Sequence, residues 1–332
     1  MPGEFIGYLN GSDPLYPYLT KEIFPQLGCS CPQGIKVYKT NGSNEVYVYE
    51  DASNSQRVVG KFFYSEKMKD WDLAWKRLDR EYRNLLEFRS YLDPVYHYVA
   101  KPLGRNDDLN RLLVVEYCYG EPLEEIITRS INNKDEALLF GKLKALAYFL
   151  ARVHNLSAAE HTADFEKVCQ YFYTVLSQLE SITDAGEREY IASLCRQWHD
   201  DPVMWQDREV LVHGDATPAN FFFGDDIHVI SFDMERNRRT DRMFDTGRLA
   251  AELQHFFYRA TGNIQEAEKY IGHFYWEYAC HFPDREKAFE SITKRAPFYM
   301  GMNLLRIARN TYLSLPYRRN LIEEAKKTLY KK

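Results

Sequence analysis

Three short, mainly apolar runs near the N-terminus are parted by polar turn residues, and then the pattern changes to a helical period. Residues 35–38 (Ile-Lys-Val-Tyr), 45–49 (Glu-Val-Tyr-Val-Tyr) and 58–63 (Val-Val-Gly-Lys-Phe-Phe) are rich in β-branched and aromatic side chains, which suit a pleated, half-buried surface. Asn41-Gly42-Ser43-Asn44 and Asp51-Ala52-Ser53-Asn54-Ser55 part these runs with turn-forming residues, so antiparallel hairpins are predicted. From 66 to 92 the period is helical, with Trp71, Ala74, Trp75, Leu78, Tyr82 and Leu85 on one face and Lys, Asp and Arg on the other. Residues 96–100 and 111–117 flank the polar Asn106-Asp107-Asp108-Leu109-Asn110, which predicts a second hairpin.

Beyond Gly120 the pattern is mainly helical. Residues 136–156 carry a dense Leu, Ala and Phe pattern closed by His154-Asn155, two short strands lie around Leu211 and Val229, and aromatic-rich helices run on from Asp245. A chain of 332 residues is too long for one small core. Residues 1–116 are expected to form an N-terminal nucleotide-binding lobe and 117–332 a C-terminal helical lobe, joined directly around 116–120.

Composition removes several function classes. Hydrophobic residues make up 45% and aromatics 15%, enough to fill two cores. The formal charge of -5 supplies no general attraction to nucleic acid or to an anionic membrane. Nowhere do about 18 apolar residues run together, and Met1-Pro2-Gly3-Glu4-Phe5 has no basic-then-apolar pattern, so a soluble cytoplasmic protein is expected. Cys29 and Cys31 are the only close pair among six cysteines and lack a second pair at zinc spacing; reduced thiols are expected.

The chemistry concentrates in two places. His213-Gly214-Asp215 is followed five residues later by Asn220, and Asp233-Met234-Glu235 ends the next strand. Moving the terminal phosphoryl of ATP needs a carboxylate to orient and deprotonate a hydroxyl, and oxygen ligands to hold Mg²⁺ against the phosphates. Asp215 is the candidate base, Asn220 and Asp233 are the candidate metal ligands, and His213 and Glu235 are candidate supports. Singly, each fits an ordinary turn or strand end.

The upstream half offers a cation, Lys61 on the third strand, and a helix carboxylate, Glu81, to fix it. Alone, these would be a solvent-facing strand residue and a surface helix charge. Gly42 and Ser43 would fold over the triphosphate, although the segment also reads as a plain hairpin turn and has no Walker A or G-x-G-x-x-G pattern. The crossing around Glu116 and Cys118 would present backbone groups to adenine.

Together, these residues resemble the aminoglycoside phosphotransferase and choline kinase superfamily over about residues 35–255. The resemblance implies an α+β, two-lobed protein-kinase-like fold, with a small antiparallel-sheet N-lobe bearing one long helix and a larger, mainly helical C-lobe. It implies ATP and Mg²⁺ between the lobes and phosphorylation of a small molecule's hydroxyl. By it Asp215 is the base, Asn220 and Asp233 bind Mg²⁺, Lys61 holds the phosphates and Glu81 orients Lys61. Phe244-Asp245-Thr246-Gly247, followed by Glu252, is similar to the motif after the metal residues in choline-type kinases, which implies that Asp245 braces the catalytic loop.

Residues 234–244 are too short a run for a peptide-docking activation segment, which disfavours a protein substrate. The acceptor stays open. Phe274-Tyr275-Trp276-Glu277-Tyr278 would either cage an amine through cation–π attraction or belong to a helical core. Arg236, Arg238, Arg239 and Arg242 would favour an anionic acceptor or form a solvated loop. The competing reading is a catalytically silent pseudokinase that binds nucleotide or a partner.

Overall fold

The computed structural model describes residues 3–29, 32–40, 45–94, 96–224 and 228–331. They fall into two compact units, one comprising Met1–Ser90, Tyr98–Tyr119 and Ile230–Glu235, the other Tyr91–His97, Gly120–Val229 and Arg236–Lys332.

The first unit is built on β1 (Glu4–Tyr8), α1 (Leu15–Tyr18), β2 (Ile35–Lys39), β3 (Glu45–Asp51), β4 (Arg57–Phe62), α2 (Trp71–Ser90), β5 (His97–Val99), β6 (Pro102–Asn106) and β7 (Leu112–Glu116). Six strands pair antiparallel in the order β1-β2-β3-β4-β7-β6. β1 lies outside the pattern read from the sequence, because its side chains are almost all exposed and no alternation marks it. Next come Leu15, Tyr18, Leu19, Ile23 and Phe24, which share one core with Ile35, Val37, Tyr49, Val58, Leu112 and Val114. That segment mixes short α, π and 3-10 turns around Pro17 and Pro25, so it has no single period to read.

Helix α2 buries Ala74, Leu78 and Leu85 of the expected face, but the inward stripe is rotated away from its two tryptophans. Ala74, Leu78, Glu81, Leu85 and Phe88 are buried, a stripe at helical spacing. Trp71 and Trp75 stay 39% and 36% exposed. They are held at the rim instead, with Trp75 Nε1 donating to Asp107 Oδ2 at 2.9 Å and the Arg111 guanidinium 4.1 Å over the Trp71 ring. The second hairpin joins β6 to β7, not 96–100 to 111–117. Pro102 and Gly104, poor strand formers, hide β6 in the sequence, while just after β5 the Ala100 N–H donates to Ser231 O.

The second unit contains β8 (Glu121–Pro122), α3 (Leu123–Asn133), α4 (Glu136–Leu156), α5 (Phe165–Ser177), α6 (Ala185–His199), β9 (Glu209–Val212), β10 (Phe221–Phe223), β12 (Arg238–Asp241), α7 (Met243–Thr261), α8 (Glu268–Ala279), α9 (Arg285–Ala308) and α10 (Leu315–Leu329), while β11 (Val229–Ser231) lies mostly in the first. Asp135, Asp164, Asp184 and Asp284 cap the N-termini of α4, α5, α6 and α9 by accepting backbone N–H groups. Helix α9 packs on α7, α8 and α10, and α4 packs on α8. Phe274, Tyr275 and Tyr278 of α8 are buried in this packing, so that aromatic run is core rather than a cage.

The basic run is largely a strand rather than a loop, although Arg236, Arg238 and Arg239 stay exposed to solvent. Arg238–Asp241 is strand β12, paired with β9 in the register Arg238↔Val212 to Asp241↔Glu209. Charged residues are scarce in strands, which masks the element. Arg242 follows it at 4% exposure, with Nε 3.0 Å from Asp207. Among the described residues no helix is long and apolar enough to cross a membrane.

One buried histidine ties α7 to α10. His255 is 7% exposed, and its Nδ1 lies 2.8 Å from the Tyr317 hydroxyl. Burial, helped by Arg259, pushes its pKa from 6.5 down to about 4. The unfolded chain therefore binds the extra proton between those values. Stability is full above pH 6.5 and is lost as pH falls toward 4, by at most about 3 kcal/mol. Thermal unfolding from pH 7 to 4 should show this fall, and His255→Phe should flatten it; an equally steep fall in the variant refutes the assignment.

Candidate functional site

In the first unit, Lys61 is central to the sheet, opposite Val46 of β3 and Leu113 of β7. Its ammonium is 2.7 Å from Glu81 Oε2, 3.2 Å from Asp233 Oδ1 and 3.6 Å from Glu235 Oε2. Burial opposes the Lys61 charge, but the three carboxylates outweigh it and hold the pKa above the ordinary ammonium range. Glu81, 5% exposed on the inward stripe of α2, is pushed up to about 7 by burial, with Lys61 pulling the other way.

One ammonium among three carboxylates leaves negative charge in excess. Ligand oxygens of Glu81, Asp233 and Glu235 all lie within 4.8 Å of one another. Hard divalent cations select such an all-oxygen set. Glu81 is engaged with Lys61, whereas Asp233 and Glu235 keep side chains 36% and 33% exposed, so of the three carboxylates these two are the ones open to a cation. Asp233 itself has φ +64°, a left-handed conformation that side chains other than glycine adopt at a cost. Asn84, one turn beyond Glu81, donates to Met234 O at 2.6 Å and pins that bend.

The Glu116 carboxylate accepts from Lys101 N–H at 2.7 Å and lies 3.6 Å from Arg89. Cys118 is half-buried, and burial pushes its thiol up to about 12. Gly42 and Ser43 lie outside the described residues.

In the second unit, β9 delivers His213 into a tight turn. Gly214 has φ +78°, and a Cβ there would stand 2.0 Å from Arg236 O, so only glycine fits. Asp245, at the start of α7 and fully buried, accepts from His213 N–H at 2.6 Å and from Gly214 N–H at 2.9 Å. His154 Nε2 lies 3.2 Å from the same carboxylate, and its Nδ1 lies 2.7 Å from Tyr278 OH. Burial alone would raise the Asp245 pKa, but His154, His213 and the Gly214 N–H hold it below the usual range.

Asp215 N–H then donates to His213 Nδ1 at 3.2 Å, while Asn220 Nδ2 donates to Asp215 O at 2.8 Å, closing the turn. The Asp215 carboxylate, its side chain 14% exposed, meets Arg248 at 2.8 Å and Arg306 at 2.7 Å, both on Oδ1. Burial works against its charge, yet Arg248, Arg306 and Arg236 keep its pKa low. Arg248 is also fixed by Gly214 O, Asn303 and Tyr171.

Two partners of Asp215 lie outside the motif reading. Arg248 had a signal, since it sits one turn after Asp245 on the same helix. Arg306 had none, because α9 reaches the site only through tertiary packing. His154, read as a helix stop, is a buried partner of Asp245.

A family model described as the phosphotransferase enzyme family matches residues 39–280. The structure is similar to the GDP complex of aminoglycoside 2'-phosphotransferase-IIIa, with TM-score 0.58, 14% identity, 94% of this chain and 99% of that one covered. It is also similar to the gentamicin complex of the aminoglycoside phosphotransferase APH(2")-IIa, at 0.57, 16%, 97% and 96%. An ethanolamine kinase of Plasmodium vivax aligns at 0.53 and 14%, covering 89% of this chain and 80% of the other. The two-lobed, kinase-like α+β fold is thus shared with these proteins. No curated protein matches the sequence.

Proposed function

We propose, from the premise that this chain belongs to the phosphotransferase enzyme family, that it moves the terminal phosphoryl of ATP to a hydroxyl of a small molecule. Asp215 is the base, and Asn220 with Asp233 serves Mg²⁺, Glu235 supporting. The observation that carries this reading is the Lys61 ammonium, held by Glu81 on one side and facing Asp233 on the other. A cation so fixed is what a nucleotide phosphate requires, and an isolated flexible lysine would not supply it.

Bound Mg²⁺ would neutralise phosphate charge. The remaining work falls to side chains. Asp215 accepts the hydroxyl proton as the alcohol oxygen bonds to phosphorus and the bond from phosphorus to the ADP oxygen breaks. A low pKa makes Asp215 a weak base, which a loose transition state tolerates because orientation matters more than proton affinity. Asp245 and Gly214 fix the direction in which Asp215 points.

A silent pseudokinase would have no use for a carboxylate so tightly aimed. The test is ADP release from Mg-ATP across aminoglycosides, choline, ethanolamine, homoserine, methylthioribose and common sugars. Lys61→Ala should lower kcat/KM for ATP by about 10–100-fold, the worth of a charge-assisted hydrogen bond. No ADP release with any acceptor, or an unchanged kcat/KM in the variant, sinks the proposal.

A further inference from the structure

Around Asp215 the second unit gathers more positive charge than the base requires. Arg248 and Arg306 contact its carboxylate, and Arg236 lies 3.8 Å away. Arg309, half-buried, stands one turn after Arg306 and donates to Gln178 Oε1 at 2.6 Å; burial, Arg306 and Arg236 lower its pKa against the pull of Tyr171 and Asp215. The carboxylates facing this group are Asp215 and Glu252, the latter 3.3 Å from Arg306. Asp245 points instead to the N–H groups of His213 and Gly214.

Four guanidiniums therefore crowd two carboxylates among the described residues. Like charges in a desolvated place repel strongly. Burial and Arg306 bring Arg248 down to about 10, and Arg309 is lowered by burial, Arg306 and Arg236. The nearby Tyr171 phenol is lowered as well: burial would raise it, but Arg248, Arg306, Arg309 and Arg238 prevail. Arg306 Nε is buried with no partner. Arg306 itself is held above its ordinary range because Asp215 and Glu252 outweigh its burial, so the surplus charge falls on Arg248 and Arg309, and a bound anion would relieve it.

We infer that the acceptor is an anionic hydroxyl compound, a phosphate ester or a carboxylate, whose negative group is held by Arg306 and Arg309, with Arg236, beside Asp215. The inference rests on the phosphotransferase reading and names its substrate class. Guanidiniums take carboxylates and phosphates in fork geometry. A cationic acceptor meets repulsion there, and the aromatic run that would have caged an amine is buried core.

Two measurements on the full chain test this. Calorimetric titration with inorganic phosphate should show saturable binding that is retained in Lys61→Ala and weakened at least tenfold in Arg309→Gln. ADP release should be compared for glucose, glucose 6-phosphate and glucosamine, and for glycerol, glycerol 3-phosphate and ethanolamine, so that charge changes at similar size. The anionic member of each set should give the highest kcat/KM, and Arg309→Gln should lower that value with little effect on the neutral one. Arg309 is only half-buried, so it serves even where Arg306→Gln fails to fold. Phosphate binding unaltered in Arg309→Gln, or higher turnover of a cationic acceptor, overturns the inference; the latter leaves the phosphotransferase reading standing.

Discussion

Asp215→Asn should lower kcat by about 10²–10⁴-fold, the range in which a positioned general base contributes, while the KM for ATP changes little. The isosteric amide keeps an oxygen toward Arg248 and Arg306 but cannot take a proton. The described ion partners of Asp215 are Arg236, Arg248 and Arg306, none of which is assigned to the nucleotide, so nucleotide affinity has no reason to fall with turnover. A drop confined to kcat separates an enzyme from a silent binder, which has no turnover to lose. Equal turnover in wild type and variant removes Asp215 from the mechanism. Asn is preferred over Ala because truncation would leave Arg248, 1% exposed, without its counter-charge and confuse stability with chemistry.

The largest stability effect is expected at Asp245. Asp245→Ala strips acceptors from the His213 and Gly214 N–H groups and a partner from His154, all buried. Breaking such a buried, charge-assisted set costs about 3–5 kcal/mol, read as a lower denaturant midpoint with an unchanged slope. Asp245→Asn should recover part of it, since one amide oxygen still accepts. The folded-state pKa of Asp245 is depressed. Its stabilisation is therefore present above the ordinary carboxylate pKa and lost as pH falls through the depressed value, so the gap between wild type and Asp245→Ala should close in acid. A gap that is small at pH 7, or that widens in acid, contradicts the buried-anchor role.

Much of the fold was legible because its elements are locally encoded. Strands β2, β3 and β4 fall on the runs of β-branched and aromatic residues, and α4 spans the residues its apolar pattern marked. What stayed hidden breaks a local rule: β1 is exposed, β6 begins with Pro, and β12 is made of charged residues. Each is held by its neighbour strand rather than by its own propensity.

The same division runs through the site. Order and spacing single out Lys61, Glu81, His213, Asp215, Asn220 and Asp233 as candidates for phosphoryl transfer, and the family resemblance adds Asp245. Sequence could not decide that Glu81 sits on the buried stripe of α2, that His154 completes the Asp245 anchor, or that Arg306 reaches Asp215 from a helix ninety residues downstream. Those facts depend on helix rotation and helix packing. Charge and exposure are properties of surroundings that distant segments assemble, so only the tertiary structure decides which of the reactive residues are buried, paired or open.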